Sequence, residues 1–267
     1  MKTNRIDKAF DALKQKKEKA LVGFLSAGDP DLDTSLKIIE SMCKAGLDIL
    51  ELGIAFSDPT ADGPVIQRSS ARALKKGITI KKVMEMTKKI RTFSDIPIIL
   101  FSYYNPILSY GAEAFYNDSI SAGADGVLVV DLPPEESDEM TSKWPGKELA
   151  LIRLVAPTTP VERMKKITES ASGFLYLVSK TGVTGSDGLD TGEVTVNSKL
   201  LGSVTKLPIC VGFGISEPED VRKIAPDVDG IVVGSAFERI IEENLNNPNL
   251  HEILGEKVSN LKAATKL

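Results

Sequence analysis

Eight short, almost wholly apolar runs recur along the chain at near-constant spacing. They are ALVGFLS from Ala20, DILELGI from Asp48, IPIILFS from Ile96, DGVLVVD from Asp125, ELALIRLV from Glu148, GFLYLVS from Gly173, LPICVGF from Leu207 and DGIVVGS from Asp229. A strand with one wet face alternates apolar and polar residues, whereas a strand buried on both faces is apolar throughout, so these runs predict strands of a parallel sheet. Between them the apolar positions move to helical spacing. In DLDTSLKIIESMCKAG, Leu36, Ile39, Met42 and Cys43 share one face and Gly46 supplies a terminator. Thr159-Pro160-Val161-Glu162 has the form of a capping box with proline at the first helical position, and Ser216-Glu217-Pro218-Glu219 repeats the Ser-x-x-Glu form, so helices are expected to begin there.

Eight strands alternating with helices, at a repeat of roughly thirty residues, match an α/β chain folded as a (β/α)8 TIM barrel. A doubly wound open sheet has the same local pattern, because strand order leaves no trace in spacing. No linker, low-complexity tract or charge block divides the chain, so one domain over residues 1–267 is expected, with an N-terminal helix and long loops after strands two and six. Those loops are GIAFSDPTADGP and the glycine-rich SKTGVTGSDGLDTGEV. In a barrel both leave the C-terminal ends of strands, where active sites assemble, and the second has the composition of a lid.

Composition narrows the chemistry. Of 267 residues, 42% are hydrophobic and 26% charged, and no run of about 18 apolar residues could span a bilayer. The net charge of −4, with scattered basic residues, argues against a nucleic-acid partner. The N-terminal MKTNRIDKAFDALKQKKEKA lacks the apolar centre of a secretory signal, so a cytoplasmic location is expected. The two cysteines, Cys43 and Cys210, read as core residues, which leaves no zinc cluster and no metal site in view. The single histidine, His251, lies in NPNLHEIL away from the polar loops, so proton transfer falls to Asp, Glu, Tyr or Lys.

Glu51 interrupts the apolar run Ile49-Leu50-Glu51-Leu52, and either face of a parallel strand takes it out of water. Desolvation raises a carboxyl pKa towards neutrality, which suits a group that gives a proton and takes it back; a core ion pair would explain the position equally well. Asp58 and Asp62 follow in the next loop beside Pro59, Gly63 and Pro64, where either an inward carboxylate or an Asx-turn fits. Gly212-Phe213-Gly214-Ile215-Ser216 after strand seven and Gly234-Ser235-Ala236 after strand eight supply the two halves of the usual phosphate site of this barrel. Ser235 also opens a Ser-x-x-Glu form to Glu238. Lys180 is placed as an exposed loop lysine rather than a Schiff base, and Tyr176 either fills the barrel or faces a ligand.

These residues sit in the motifs LSAGDP, LELGIAFSDPTADGP, YYNP, DLPPEE, VAPTTP, SKTGVTG, GFGIS and GSA, which in this order resemble the tryptophan synthase alpha subunit family from about Gly23 to Ile240. The resemblance implies a (β/α)8 barrel that cleaves indole-3-glycerol phosphate to indole and glyceraldehyde 3-phosphate. It implies no cofactor in this chain and a beta subunit partner, carrying pyridoxal phosphate, in an alpha2beta2 assembly that receives the indole through a tunnel. By position, Glu51 is implied as the acid/base carboxylate and Asp62 as the second catalytic carboxylate, with phosphate contacts at Gly185, Gly214, Gly234 and Ser235. Tyr176 is implied to line the site and Thr184 to couple the lid loop to the Asp62 loop. The chain departs from the family pattern at Ala55 (usually Pro), Thr60 (usually apolar) and Lys180 (usually Arg). The first two adjoin the loop expected to face the partner, which keeps a stand-alone lyase, or mainly an allosteric activator of beta, as alternatives.

Overall fold

Each apolar run forms a strand: β1 Ala20–Ser26, β2 Ile49–Gly53, β3 Ile98–Ser102, β4 Gly126–Val129, β5 Ala150–Val155, β6 Leu175–Val178, β7 Ile209–Gly212 and β8 Gly230–Val233. In the computed structural model, which describes residues 4–179, 191–212 and 214–267, the strands are parallel and close in sequence order. Closure is made by β1 against β8, with Ala20 to Gly23 registered on Gly230 to Val233. That pairing removes the edges of an open sheet and selects the (β/α)8 barrel over the doubly wound alternative.

Side chains of successive strand residues point alternately into the barrel and out to the helices. The inner set includes Val22, Ile49, Ile99, Leu128, Ile152, Tyr176, Cys210 and Val232, and the outer set Leu21, Leu25, Leu50, Leu52, Leu100, Val211 and Val233. Helix α1 (Arg5–Lys16) does not belong to the outer ring. Its Ile6, Phe10 and Leu13 join the inner set, Phe10 against Phe174 at 6.0 Å between ring centres, and so plug the N-terminal end of the barrel.

The outer ring contains α2 (Leu32–Lys44), α3 (Pro64–Lys75), α4 (Ile80–Ile90), α5 (Tyr104–Tyr110), α6 (Ala112–Ala122), α7 (Ser137–Thr141), α8 (Val161–Glu169), α9 (Thr191–Gly202), α10 (Pro218–Ile224), α11 (Ser235–Glu243) and α12 (Leu250–Ala263). The buried stripe of α2 is Ser35, Ile38, Ile39 and Met42, so it turns slightly from the predicted face and leaves Leu36 and Cys43 half-buried. Three predicted helix starts shift. Pro160 itself caps α8 and no side chain completes a box there. The box of α10 lies one residue later than predicted, between Glu217 and Asp220 with Pro218 at the first helical position. Glu238 does not turn back on Ser235 but reaches the backbone of β1.

The N-terminal end of the barrel repeats one device every second strand. An acceptor just before each even strand takes the backbone N–H of a residue at the start of the preceding odd strand: Asp48 from Leu21, Asp125 from Ile98, Ser172 from Leu151 and Asp229 from Ile209, all at 2.8–2.9 Å. Donors that the ladder would leave unmatched at the strand ends are thereby satisfied.

Candidate active site

At the C-terminal end a cleft of about 580 Å³ opens between β1, β2, β3, β6 and the loops after β2, β7 and β8. Glu51 alternates with the outward Leu50 and Leu52, and so enters the barrel and lines this cleft. It is 1% exposed, and its Oε1 has no hydrogen-bond partner among the described residues. Among the described residues no cation pairs with it, which argues against the core ion-pair reading. Burial raises its carboxyl to about 8, because the charged form would lose its hydration with no compensating donor at that oxygen.

The walls that dry this carboxyl are aromatic. Phe24 and Phe101 meet edge to face at 5.2 Å, and both line the cleft. Gly53 makes room for Phe24, since a Cβ there would stand 2.7 Å from its ring. Across the barrel Tyr176 points inward; burial first, then the nearby Glu51, raises its phenol well above the ordinary value. Gly212 leaves the space its hydroxyl occupies, and a Cβ there would collide with it. Tyr176 thus contributes both to the core and to the cleft, and the two sequence readings merge.

Asp62 lines the same cleft from the loop after β2 and is half-buried. Burial raises its carboxyl to about 6, an effect partly opposed by a hydrogen bond from Tyr103. The Tyr103 hydroxyl also accepts the Ala61 N–H at 2.9 Å, so one phenol holds both the backbone and the carboxylate of the loop. Burial, and then the charge of Asp62, raises the Tyr103 phenol in turn. Gln67 Nε2 donates to the Asp62 carbonyl at 2.8 Å, fixing the loop where it passes into α3 at Gly63. Asp58 stays outside: it is exposed, accepts from Ser57 Oγ, and its carbonyl takes the Thr60 N–H at 2.8 Å, as the turn reading requires.

Gly214, Gly234 and Ser235 come together on the rim of the cleft. Gly214 has φ of +77°, a conformation that disfavours any side chain, although the space beside it is open. Gly234 caps α11 and Ser235 is its first residue. The first N–H groups of a helix have no acceptor within it and carry the positive end of its dipole, so this rim is built to receive an anion. Thr184, Gly185 and Lys180 lie outside the described residues. His251 sits in α12, far in sequence from these loops, and Cys43 and Cys210 are free thiols.

Residue spacing alone did not single out Tyr103, Phe24, Phe101 or Gln67. Tyr103 belongs to the YYNP motif, which carried resemblance but no role, and the two phenylalanines are indistinguishable in sequence from core residues of an apolar strand.

A family model described as tryptophan synthase alpha chain matches residues 10–266. The tryptophan synthase alpha chain of Desulfatibacillum aliphaticivorans is 62% identical over 261 residues, covering 98% of each chain. That of Desulfosudis oleivorans is 62% identical over 264 residues, covering 99% of this chain and 100% of the relative. Among solved structures, tryptophan synthase subunit alpha from Legionella pneumophila superposes with a TM-score of 0.90 at 38% identity, over 98% of each chain. A chain of Mycobacterium tuberculosis tryptophan synthase gives 0.91 at 30% identity, over the whole of both.

Proposed function

The chain belongs to the tryptophan synthase alpha chain family, and from that premise we propose how its own residues carry the reaction. The function is that of the alpha subunit in tryptophan biosynthesis: a carbon–carbon lyase that splits indole-3-glycerol phosphate into indole and glyceraldehyde 3-phosphate. The observation that carries the residue assignment is the buried, unpaired Oε1 of Glu51 facing the cleft that Asp62 also lines.

In this reading Glu51 is neutral at pH 7 and delivers its proton to indole C3, which converts the ring into an electron sink. Positive charge then develops at the indole nitrogen, whose N–H donates to the ionised Asp62. The resulting Glu51 carboxylate takes the proton of the glycerol hydroxyl adjacent to the ring. As that oxygen becomes a carbonyl, the bond to C3 breaks and its electrons restore the aromatic ring. Both protons are accounted for within one carboxyl group, and aromatic walls keep it dry enough to hold them. Tyr176 lines the ring pocket, and Tyr103 positions Asp62.

The phosphate is bound by backbone N–H groups at Gly214, Gly234 and Ser235; the family resemblance adds Gly185 as a further contact and Thr184 as the residue that couples the second long loop to that of Asp62. The chain needs no cofactor of its own. A beta subunit bearing pyridoxal phosphate takes up the indole in an alpha2beta2 assembly, in the cytoplasm. None of the described helices is long and apolar enough to cross a membrane. The test is indole release from indole-3-glycerol phosphate by the purified chain and by its Glu51→Gln variant, with and without a beta subunit. A well-folded variant with ordinary turnover overturns the assignment of Glu51, and a beta subunit that neither binds nor accelerates the chain overturns the assembly.

A further inference from the structure

The helix that offers its N-terminus to the phosphate, α11, is held in place by a side chain that the reaction does not use. Glu238 is fully buried one turn into the helix. Its Oε1 accepts the backbone N–H of Ser26, the last residue of β1, at 2.6 Å. Its Oε2 is buried and receives no hydrogen bond from any donor among the described residues. The group it does meet is another carboxyl, Asp29, which is 1% exposed. Both Asp29 oxygens are already taken by the guanidinium of Arg72 on α3, at 2.8 and 2.7 Å.

Two carboxylates in contact inside a protein repel when both are charged, and both Asp29 oxygens already accept from the arginine. The proton therefore belongs on Glu238 Oε2, where it gives that otherwise unpaired atom a partner in Asp29. We propose that protonated Glu238, hydrogen-bonded through Oε2 to Asp29 and through Oε1 to Ser26, is a positioning residue that clamps the phosphate-binding end of α11 to β1 and α3. The inference rests on the reading that α11 binds the substrate phosphate.

The clamp reaches both halves of the site. Helix α3, which carries Arg72, starts directly after Asp62, while α11 starts at the phosphate rim. Arg72 also holds Glu242, one turn further along α11, at 3.0 Å, and Glu242 is gripped by Arg68 of α3. The charged groups around Glu238 are thus Asp29 from the loop after β1, Arg72 and Arg68 from α3, and Glu242 from its own helix; on α12, the remaining helix against α11, Lys257 is engaged by Glu217. Burial, reinforced by Asp29, raises the Glu238 carboxyl well above its ordinary range, in keeping with a proton held there. Its loss puts two negative charges against one arginine, loosens the start of α11 and weakens phosphate binding.

Two variants separate this clamp from ordinary packing. Glu238→Gln keeps an acceptor for Ser26 and gives Asp29 a donor that cannot ionise. Glu238→Leu keeps the bulk and removes both bonds. KM for indole-3-glycerol phosphate and the competitive inhibition constant of inorganic phosphate are measured from pH 6.5 to 9.5, together with kcat. For the leucine variant both constants should rise about tenfold at neutral pH, with kcat changed much less, the size expected for one lost charge-assisted contact. The glutamine variant should restore the neutral values of both constants, and any rise of the phosphate inhibition constant with pH in the parent chain should be smaller in it. If the leucine variant only melts earlier, with unaltered KM and inhibition constant, or if the glutamine variant does not restore the neutral values, the clamp is refuted. If inorganic phosphate does not compete even with the parent chain, the phosphate reading of α11 fails first, and the clamp with it.

Discussion

Glu51 stands where an apolar side chain would be the stable choice, and that misfit is the origin of its chemistry. Its carboxyl titrates at about 8 and that of Asp62 at about 6. Protonated Glu51 and ionised Asp62 coexist mainly between those values, so kcat/KM for the isolated chain should follow a bell with limbs near them; a rate unchanged down to pH 5 would contradict the role of Asp62. Tyr103 lowers the Asp62 value through its hydrogen bond, so Tyr103→Phe should move the acid limb to higher pH while leaving the alkaline limb in place. Glu51→Gln should cost on the order of 100- to 10,000-fold in rate. It should also stabilise the fold. A carboxyl whose pKa is raised from 4.5 to about 8 on folding contributes most below pH 4.5, and that contribution is lost as pH rises towards 8. At pH 7 the loss amounts to about 3 kcal/mol, which the amide does not suffer. Urea unfolding of the two proteins should therefore diverge at pH 7 and converge near pH 4.5.

Elements of the barrel divide their duties between its two ends. At the N-terminal end Asp125 accepts from the backbone of β3 and pairs with Arg91 and Arg5. Asp125→Ala leaves Arg91 largely buried without its partner, so it should cost about 3–5 kcal/mol of stability and leave KM unaltered, measured by denaturation and steady-state kinetics. Ser172 plays the same part before β6 through a single neutral bond, and its replacement by alanine should cost only about 1 kcal/mol. At the C-terminal end the reverse holds. A Cβ at Gly234 would stand 3.2 Å from the Cβ of Phe24, so Gly234→Val must crowd the cleft wall and the path of the phosphate together. Its KM for the phosphorylated substrate should rise, and a dephosphorylated substrate should bind the parent chain poorly. Equal affinity for both substrates would remove the phosphate rim.

For the whole molecule the open question of function is coupling to beta. Both carboxyls proposed to be catalytic are carried by the β2 segment and its loop, and the loop is held to the barrel through Tyr103 and Gln67. Ala55 is half-buried against the outer core and Thr60 is exposed, so the departures from the family pattern lie on the loop and not in the cleft. A partner that binds the reactive arrangement of the Asp62 loop tenfold more tightly than any other supplies about 1.4 kcal/mol towards it, without adding a catalytic group. Indole release should therefore rise as beta is titrated, and Ala55→Pro should alter that rise more than the rate of the isolated chain. A rate already high alone and indifferent to beta would leave a stand-alone lyase.

The strands were legible because burial on both faces writes itself locally, as eight apolar runs, and Glu51 was legible as the charge that breaks one of them. The long LELGIAFSDPTADGP motif placed Asp62 beside it in the chain. Closure of the barrel was not legible, since β1 and β8 meet across some two hundred residues and hydrogen bonds between strand backbones carry no side-chain signature. Nor was the inward aim of Glu51: on a strand apolar on both faces, period two does not say which face is the barrel interior. Glu238 shows the limit most clearly. Local spacing assigned it to a capping box with Ser235, while the fold offered it a buried N–H from β1 and a carboxyl from the next loop. Tyr103 found Asp62 in the same way, through a contact that exists only once β2 and β3 lie side by side. Patterns of burial are set by neighbours in the chain; the partners of a buried polar group are set by neighbours in space.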